Sequence, residues 1–406
     1  MGSNAKGGPV GGHVAPGFEK VRDVFARHIE TDTLGAACTI YHRGECVVDL
    51  YGGWKDKTRT RPWEHDTIVL VYSVSKGLSG AACAVAASKG LFSYDENVGD
   101  VWPEFDVYGK GQLTVGQVLS EQSGVAALDL KLNNARMADS EFCALAVEQQ
   151  KPNWKPGQYS GNHPYSLSWL ACELISRRDP YERHLERFFA EEVAAPVGAD
   201  AFLGLPKDFD RDRIARIDGF GMFDLVFRHT NMSWALVASM FWPWSLSFRA
   251  LNNPLFLKGP AELDEEQWWR IEQGAAGGMA SAPALAKIYN VFATGGETYG
   301  ITQEVADQLA RGADLPPGGL WDPVLHTDLH YSYGFEKPSG GWEFARTPSA
   351  FGTFAIGGSM AFADPDDEVA YAWITNQLGT WLRDDPREKD VREAFYQCLV
   401  ENARCQ

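Results

Sequence analysis

The sequence predicts an α+β fold in which one antiparallel sheet, built from both chain ends, is flanked by terminal helices and carries an inserted, mostly helical lobe. Two observations lead to this prediction. Short runs rich in β-branched and aromatic residues lie near both ends, whereas helical spacing dominates between about residues 90 and 290. No repeat or linker divides the chain, so we expect one compact unit. Its parts are a flexible tail at 1–12, sheet regions at 13–72 and 295–406, and the helical lobe at 73–294.

The N-terminal half of the sheet region begins with a helix and a hairpin. Apolar residues at helical spacing from Phe18 to Glu30 predict the helix, and Gly35 follows as a stop signal. Two runs of β-branched residues, 36–42 and 46–52, are joined by the turn Arg43-Gly44-Glu45, which predicts an antiparallel hairpin. A third run leads into Ser73, after which small apolar residues predict a closely packed helix. The predicted strands are 36–42, 46–52 and 67–72.

The remaining elements follow the same patterns. In the middle region we predict helices at 114–121, 139–149, 164–177, 181–193, 265–272 and 282–294. Strand character returns near the C-terminus, at 331–337, 340–346, 351–365 and 368–377. A last helix at about 387–403 has Val391, Phe395 and Leu399 on one side, so we expect it to cover the sheet.

The composition is that of a globular protein with little affinity for polyanions. Of the 406 residues 45% are apolar, and 37 Lys and Arg stand against 54 Asp and Glu, which gives a net charge of −17. Because nucleic acids and anionic membranes are bound through Lys and Arg, we expect neither as a partner. The most apolar stretch, Met232 to Phe248, is broken by Pro243 and is shorter than the about 20 residues of a membrane helix.

The cysteines and histidines form no metal motif in the sequence. The seven cysteines are widely spread without a Cys-x-x-Cys pair, so we expect reduced thiols. No His-Glu-x-x-His or acidic metal loop is present, and no glycine-rich stretch has the context of a nucleotide site. We therefore expect no metal, no cofactor and a small-molecule substrate, and we leave a homo-oligomer open. The N-terminus lacks the apolar core of a secretory signal, which favours a cytoplasmic protein.

The candidate nucleophile is Ser73, in the segment Ser73-Val74-Ser75-Lys76 at a predicted strand-to-helix junction. Residues i and i+3 share a helix face, so Lys76 can reach the Ser73 hydroxyl. The free amides of the first helical turn favour a developing oxyanion. Lysine accepts a proton only in its neutral form, which burial or nearby positive charge favours. From the spacing alone, the alternative that Ser73 is only a helix cap and Lys76 only a surface lysine has equal weight.

Several further segments share the features of one family. They are HVAPGFEKVRDVF, AACTIYHRGECVVDLYGGW, the Ser73–Lys76 helix, LTVGQVLSEQSGV, WKPG at 154–157, AAGGMASAPALAKIY and GGSMAFADPDDEVAYAWITN. In this order, over residues 13 to 400, the chain resembles the serine β-lactamase and penicillin-binding-protein superfamily, most closely its class C-like esterase branch with the family VIII carboxylesterases. The resemblance implies a β-lactamase/transpeptidase-like fold, with Ser73 as nucleophile and Lys76 as base.

The chain departs from the family at the second motif, which usually contains a catalytic tyrosine after a Pro-Gly pair. Here the expected Gly-Tyr-His is Gly161-Asn162-His163, so Asn162 stands at the tyrosine position. An amide does not titrate near neutrality and cannot replace the hydroxyl in proton transfer. Tyr159 or Tyr165 could substitute, Lys76 could act alone with water, or the reaction could differ. His163 is an alternative base, although a structural hydrogen-bonding role is favoured.

The third motif departs as well. Relatives have Lys-Thr-Gly or His-x-Gly before Gly-Gly-Ser, whereas this chain has Thr353-Phe354-Ala355. The resemblance then implies that the amide of Ile356 is the second oxyanion donor beside that of Ser73. With no cation at Thr353 to pair with a substrate carboxylate, ordinary lactam hydrolysis is not expected. Phe354 and Ala355 make this wall apolar, which favours a hydrophobic substrate, and neutral packing changes are the alternative.

The predicted acyl pocket lies in the helical lobe. The aromatic-rich stretch from 220 to 257 is interpreted as a lid or wall of an apolar pocket, with core packing as the alternative. The side chains that we assign to the pocket are Tyr165, Phe227, Trp242 and Trp244.

Three functions remain open at this point. The favoured one is a serine hydrolase or acyltransferase, esterase-like, that acts on a hydrophobic small-molecule ester through an acyl-enzyme on Ser73. The second is a repurposed lyase, isomerase or cyclase of a biosynthetic, secondary-metabolism pathway that forms no acyl-enzyme, as the loss of two motif residues suggests. The third is a non-catalytic binding protein, against which the retention of Ser73 and Lys76 speaks.

Overall fold

A computed structural model of the chain describes residues 7–405 except 222, 229–230 and 256–258. The strands, in chain order, are β1 (Val10–Val14), β2 (Gly35–His42), β3 (Glu45–Gly53), β4 (Val69–Leu70), β5 (Ala201–Phe202), β6 (Met279–Ala280), β7 (Trp321–Asp322), β8 (Thr327–Asp328), β9 (His330–Ser332), β10 (Phe335–Lys337), β11 (Phe351–Phe354), β12 (Met360–Asp364) and β13 (Val369–Thr375). Short bridges apart, they form one large sheet and two small ones within these residues.

The large sheet joins the two ends of the chain. Its strand order is β1-β3-β2-β13-β12-β11-β10-β9, and every neighbouring pair is antiparallel. The junction is the pairing of β2 with β13, from Ala36 opposite Thr375 to His42 opposite Val369. The predicted α+β architecture, with an antiparallel sheet built from both termini, is therefore confirmed. Strands β4, β6 and β5 form a smaller sheet, and β7 pairs with β8.

The helices fill the middle of the chain and both termini. They are α1 (Glu19–Thr31), α2 (Val74–Ser88), α3 (Val98–Val101), α4 (Val115–Leu119), α5 (Asn134–Met137), α6 (Ser140–Gln149), α7 (Ser166–Ser176), α8 (Leu185–Phe189), α9 (Asp224–Arg228), α10 (Trp234–Ser239), α11 (Leu246–Leu251), α12 (Glu266–Trp269), α13 (Ala282–Ala293), α14 (Gln303–Arg311) and α15 (Pro386–Cys405). Among the described residues, none of these helices combines the length and apolar character that a membrane span requires.

Helices cover the sheet because its strands are apolar on both sides. Strand β13 is buried along its whole length. Trp373 meets Phe25 of α1 edge to face at a centroid distance of 5.7 Å, and the hydroxyl of Tyr371 donates to a carbonyl of α15. Side chains alternate along a strand, so Ala370 and Ala372 face the opposite side. Their small size allows α13 to pack closely there.

Helix α2 enters the core, and glycine makes this possible. A Cβ on Gly77 would lie 2.0 Å from the hydroxyl oxygen of Tyr289 and 2.8 Å from Oγ1 of Thr353. Such distances are far below van der Waals contact, so only glycine allows α2 to approach α13 and β11 this closely. The close packing predicted from the small residues after Ser73 is thus observed, and every residue from Val74 to Ala86 is buried.

Three predictions about elements are corrected. The tail predicted at 1–12 is wrong for residues 10–12, which belong to β1 and pair with β3; residues 1–6 lie outside the described part. The single strand at 331–337 is two strands, β9 and β10, because Tyr333 and Gly334 form a turn with positive φ. The strand at 340–346 is also wrong. Gly340 and Gly341 have φ of 64° and 78°, which turns the chain instead of extending it.

We expect Trp373→Ala to destabilise the protein by about 3–5 kcal/mol, because it leaves a cavity between β13 and α1 that neighbouring side chains fill only in part. Chemical denaturation monitored by far-UV circular dichroism measures the change. The matched control is Trp244→Ala, whose side chain is 76% exposed and should change stability by less than about 1 kcal/mol. Equal effects of the two substitutions would contradict the assigned packing.

Candidate active site

Ser73 stands at a sharp turn between β4 and α2. The residue before it, Tyr72, has a φ of 47°, a left-handed conformation that is strained for a bulky side chain and is characteristic of functional sites. The turn places Ser73 at the N-terminus of the 15-residue helix α2, and its side chain makes no capping hydrogen bond. Ser73 is partly exposed, unlike the buried residues that follow it. Its hydroxyl is therefore accessible at the positive end of a helix dipole.

The Ser73 hydroxyl faces an apolar cavity of about 130 Å³. We call it the Ser73 pocket. Its polar lining groups are Ser73, Lys76, Asn162, Asn252 and Glu336, with the tyrosines 72, 165 and 331. Its apolar lining comprises Pro164, Phe220, Met232, Leu236, Met240, Leu251, Pro260, Leu263, Ala276, Leu325, Phe354, Ile356 and Leu382. An enclosed apolar wall with a few convergent polar groups is typical of a small-molecule site.

Lys76 is buried, as the sequence analysis requires, but its partner differs from the expectation. Its ammonium Nζ donates to Oε1 of Glu121 at 2.8 Å and to Oδ1 of Asn162 at 2.5 Å. Lys76 and Glu121 are each 2% exposed. The sequence analysis expects nearby positive charge or burial to keep Lys76 neutral. The partner of the Lys76 nitrogen is instead the carboxylate of Glu121, and the two side chains form a buried ion pair.

Glu121 is held rigidly for this pairing. Its backbone has a φ of 60°, a second strained residue at the site. Its Oε2 accepts a hydrogen bond from the backbone amide of His163. Burial by itself raises the pKa of a carboxyl, but the Lys76 ammonium and the His163 side chain hold the pKa of Glu121 below its usual value. Glu121 is therefore the counter-charge of Lys76, and sequence reasoning did not single it out.

The second-motif residues divide into a site residue and a structural one. Asn162 lines the Ser73 pocket and accepts from Lys76, while its backbone amide donates to Oδ2 of Asp322 at 3.1 Å. His163 is fully buried outside the pocket. Its Nδ1 lies 2.6 Å from the carbonyl oxygen of Gly161 and its Nε2 lies 2.9 Å from the hydroxyl of Ser123. Both ring nitrogens are engaged, which agrees with the structural role favoured for His163.

The third-motif strand presents alternate residues to the pocket. Phe354 and Ile356 line it, whereas Thr353 and Ala355 do not. Oγ1 of Thr353 donates to the carbonyl oxygen of Val74 at 3.2 Å, so this side chain braces α2 and does not face substrate. The assignment of Ala355 to the substrate wall is therefore wrong, because its side chain, like that of Thr353, points to the other face of the strand.

The aromatic residues assigned to the pocket lie mostly outside it. Tyr165 lines the Ser73 pocket, whereas Tyr159 does not and instead packs beside Gly318. Phe227, Trp242 and Trp244 are 85%, 61% and 76% exposed, so their assignment to the pocket is wrong. They sit on the outer side of short helices and turns whose inner side is apolar.

The predicted segment does contribute to the pocket, through different residues. Met232, Leu236 and Met240 line it, and each is at most 8% exposed. Their spacing of i, i+4 and i+8 is that of one helix face. This periodicity was the signal in the sequence that separates the pocket face from the exposed aromatic face.

A second acidic group, absent from the sequence analysis, borders the pocket. Tyr331 and Glu336 line it, and the hydroxyl of Tyr331 donates to Oδ2 of Asp322 at 2.6 Å. The Lys76 ammonium lies 5.7 Å from the centroid of the Tyr331 ring. Glu336 is 3% exposed, and its Oε2 is buried with no hydrogen-bond partner among the described residues.

The carboxyls of this group are held in an environment of low polarity. Burial raises the pKa of Asp322, opposed by the hydrogen bonds from Tyr331 and from backbone amides. Burial raises the pKa of Glu336 well above its usual range. Lys76 acts in the opposite direction, while the charges of Glu121 and Asp322 add to the rise. The environment of Glu336 therefore favours its neutral form.

One group of metal-ligating residues comes together elsewhere in the described chain. Cys172, His184 and Glu272 each place one ligand atom within 4.8 Å of the others. They are far apart in sequence, which is why no spacing motif pointed to them. The three residues do not line the Ser73 pocket, so they take no part in a reaction at Ser73.

The chain is similar to known proteins along most of its length. A family model described as Beta-lactamase matches residues 21–394. A curated protein named esterase/beta-lactamase LipL, from Mycobacterium tuberculosis, is 30% identical over 358 residues, which are 85% of this chain and 77% of that protein.

Two solved structures are similar in sequence and in fold. A family VIII carboxylesterase is 30% identical with a TM-score of 0.84, and the match covers 96% of this chain and 100% of that one. A penicillin-binding protein homologue from Caulobacter crescentus is 31% identical with a TM-score of 0.80, again covering 96% of this chain and 100% of that one.

The buried ion pair leads to a prediction about stability. Lys76→Met leaves the Glu121 carboxylate unpaired and Glu121→Gln leaves the ammonium unpaired, so each is expected to cost about 3–5 kcal/mol. The double variant should cost clearly less than the sum, since neither charge remains. Chemical denaturation of the four proteins measures this coupling. The exposed pair Arg211 and Glu266 is the control, with a coupling of at most about 1 kcal/mol; additive effects at Lys76 and Glu121 would refute the pairing.

The buried Glu336 carboxyl leads to a pH-dependent prediction. The folded protein holds this proton to higher pH than the unfolded chain, so the stability linked to it is present below the ordinary carboxyl pKa and is lost as pH rises. Glu336→Gln removes that loss. The Tm of the variant relative to wild type should therefore increase between about pH 5 and about pH 9, by a few degrees. Exposed Glu297→Gln should show no such trend; a constant Tm difference for Glu336→Gln would show that Glu336 is ionised in the folded state.

Proposed function

The chain belongs to the beta-lactamase family, and from this premise we propose that it is a serine esterase that acts on hydrophobic small-molecule esters through an acyl-enzyme on Ser73. It is an enzyme with hydrolase activity, and its relatives favour an esterase over a beta-lactamase. The proposal of an acyl-enzyme rests on the position of Ser73. Its hydroxyl stands at a helix N-terminus, in an apolar pocket, with the cation Lys76 on the next helical turn.

The environment of Ser73 supports a nucleophilic role. An alkoxide at Ser73 would be stabilised by the first-turn amides of α2 and by the Lys76 ammonium, which lies in a low-dielectric interior where charges interact strongly. Two hydrogen bonds, to Glu121 and Asn162, fix that ammonium. The cation is therefore in place before the reaction and needs no reorganisation, which is the basis of electrostatic catalysis.

Two backbone amides are available as an oxyanion hole. Ser73 and Ile356 both line the pocket, and in the described part of the chain neither amide donates a backbone hydrogen bond. Free amides converging on one cavity are the groups that stabilise a tetrahedral intermediate, and loss of one such donor typically costs about 10²–10³ in rate. This assigns Ile356 the role that the family resemblance implies.

The lining indicates the substrate class. The long apolar side chains of Met232, Leu236 and Met240 and those of the third-motif segment suit a hydrophobic acyl or alcohol group. Among the described residues that line the pocket, Lys76 is the one cation, and it is already paired with Glu121. A substrate carboxylate would find no partner, so we assign neutral esters. The acyl group then passes to water, or to an alcohol acceptor in the same pocket.

The acyl-enzyme is tested by mass spectrometry and kinetics with p-nitrophenyl esters of increasing chain length. Wild type should give an acyl adduct that maps to Ser73, with kcat/KM rising with chain length. Ser73→Ala should lose the adduct and at least about 10⁴-fold of kcat. The exposed Ser140→Ala is the control and should retain both. Turnover of an ester without an adduct, or an undiminished rate in Ser73→Ala, would refute the proposal and favour a reaction without an acyl-enzyme.

A further inference from the structure

The Ser73 site needs a group that transfers protons, and the Lys76 nitrogen is already held by hydrogen bonds to Glu121 and Asn162. We propose that Glu336 is the acid–base residue of the Ser73 site, which transfers protons between Ser73 and the departing alcohol. This inference rests on the proposed esterase function. It assigns a catalytic role to a residue outside all three family motifs.

Elimination among the lining groups points to Glu336. The tyrosine hydroxyls of the pocket are all engaged. Tyr72 donates to the carbonyl oxygen of Pro260 at 3.0 Å, Tyr165 to that of Leu251 at 3.4 Å, and Tyr331 to Asp322 at 2.6 Å. Within the described lining, Glu336 is the titratable side chain that keeps a buried polar atom, Oε2, without a partner.

The fold aims this carboxyl at the pocket. Glu336 is in β10 and pairs directly with Tyr331 in β9. Directly paired residues of antiparallel strands project to the same side of the sheet, and the Tyr331 ring on that side lies beneath the Lys76 ammonium. Leaving a buried carboxyl oxygen without a hydrogen-bond partner destabilises the folded state. A group retained at such a cost, in a pocket, calls for a ligand or reactant as its missing partner.

The surrounding charges give Glu336 the right protonation state. The groups that face it are the Lys76 ammonium and the carboxyls of Glu121 and Asp322. Lys76 and Glu121 neutralise each other, so no net positive charge remains to ionise Glu336. Burial raises its pKa and so favours the neutral carboxyl, which has both an O–H to donate and an oxygen to accept a proton.

The proton balance closes with Glu336 alone. In acylation, Oγ of Ser73 bonds to the ester carbonyl carbon and the bond to the alcohol oxygen breaks. Glu336 gives its proton to that oxygen and takes up the Ser73 hydroxyl proton, so it is neutral again in the acyl-enzyme. In deacylation, water attacks the acyl carbon, Glu336 accepts a proton from the water and gives one to Oγ of Ser73. No other donor or acceptor is consumed.

The decisive experiment compares two esters of the same acid. An alkoxide leaves only with a proton, whereas p-nitrophenolate is a stable anion that leaves without one. Glu336→Gln should therefore lower kcat/KM for the ethyl ester by about 10²–10⁴-fold, and that for the p-nitrophenyl ester by clearly less. The loss should lie in kcat, with KM nearly unchanged. Glu297→Gln, an exposed Glu elsewhere, should leave both esters unaffected.

A second variant keeps the test independent of packing. Glu336→Ala opens space in the Ser73 pocket, and added formate should restore ethyl-ester turnover in proportion to its concentration, because a small carboxylic acid can replace the missing one. Thermal unfolding of both variants checks that they are folded. Glu336→Asp should retain part of the activity, because aspartate keeps a carboxyl group at this position.

The outcomes separate this inference from the esterase proposal. Equal losses on both esters, a change in KM alone, or no rescue by formate would overturn the role of Glu336 while wild type still forms the Ser73 adduct. Absence of that adduct in wild type would overturn the esterase function, and the assignment of Glu336 with it.

Discussion

The burial of the Lys76 ammonium is the constraint on which the site depends. A charge out of water must be matched by an opposite charge and by hydrogen bonds, or the fold does not form. Glu121 supplies the charge and Asn162 the second acceptor, and both lie in the segment between α4 and α7, whereas Lys76 is in α2, which enters the core. The ion pair therefore connects this segment to α2 and fixes the position of the turn that presents Ser73.

Much of the fold and the main site residue could be predicted because they depend on local chemistry. The hairpin of β2 and β3 and the strand β13 follow from β-branched runs and glycine turns, and α2 from a row of small residues. Ser73 was identifiable because the Ser-x-x-Lys spacing places two functional groups on one helix face. The pocket residues Met232, Leu236 and Met240, in and beside α10, have the same helical spacing in the sequence. The aromatic residues of this segment, which were assigned to the pocket, lie on the exposed side instead.

The remaining site residues could not be predicted because they depend on long-range packing. Glu336 lies between Phe335 and Lys337 in a short strand, where alternation suggests one apolar side and one solvated side. All three are buried instead, and the Lys337 ammonium is satisfied by backbone carbonyls that helix α14 and a distant loop bring to it. Neither the burial of Glu336 nor the pairing of Glu121 with Lys76, 45 residues apart, has a signature in a single sequence.

The loss of the motif tyrosine is explained when its two tasks, contact with the lysine and proton transfer, are treated separately. A hydroxyl at that position contacts the lysine and also moves protons. Asn162 keeps the first task, since its Oδ1 accepts from Lys76, but an amide cannot perform the second. The carboxyl of Glu336, which lines the same pocket, supplies proton transfer, and its burial favours the neutral form. The substitution of tyrosine by asparagine is then compatible with catalysis, because a different strand carries the proton.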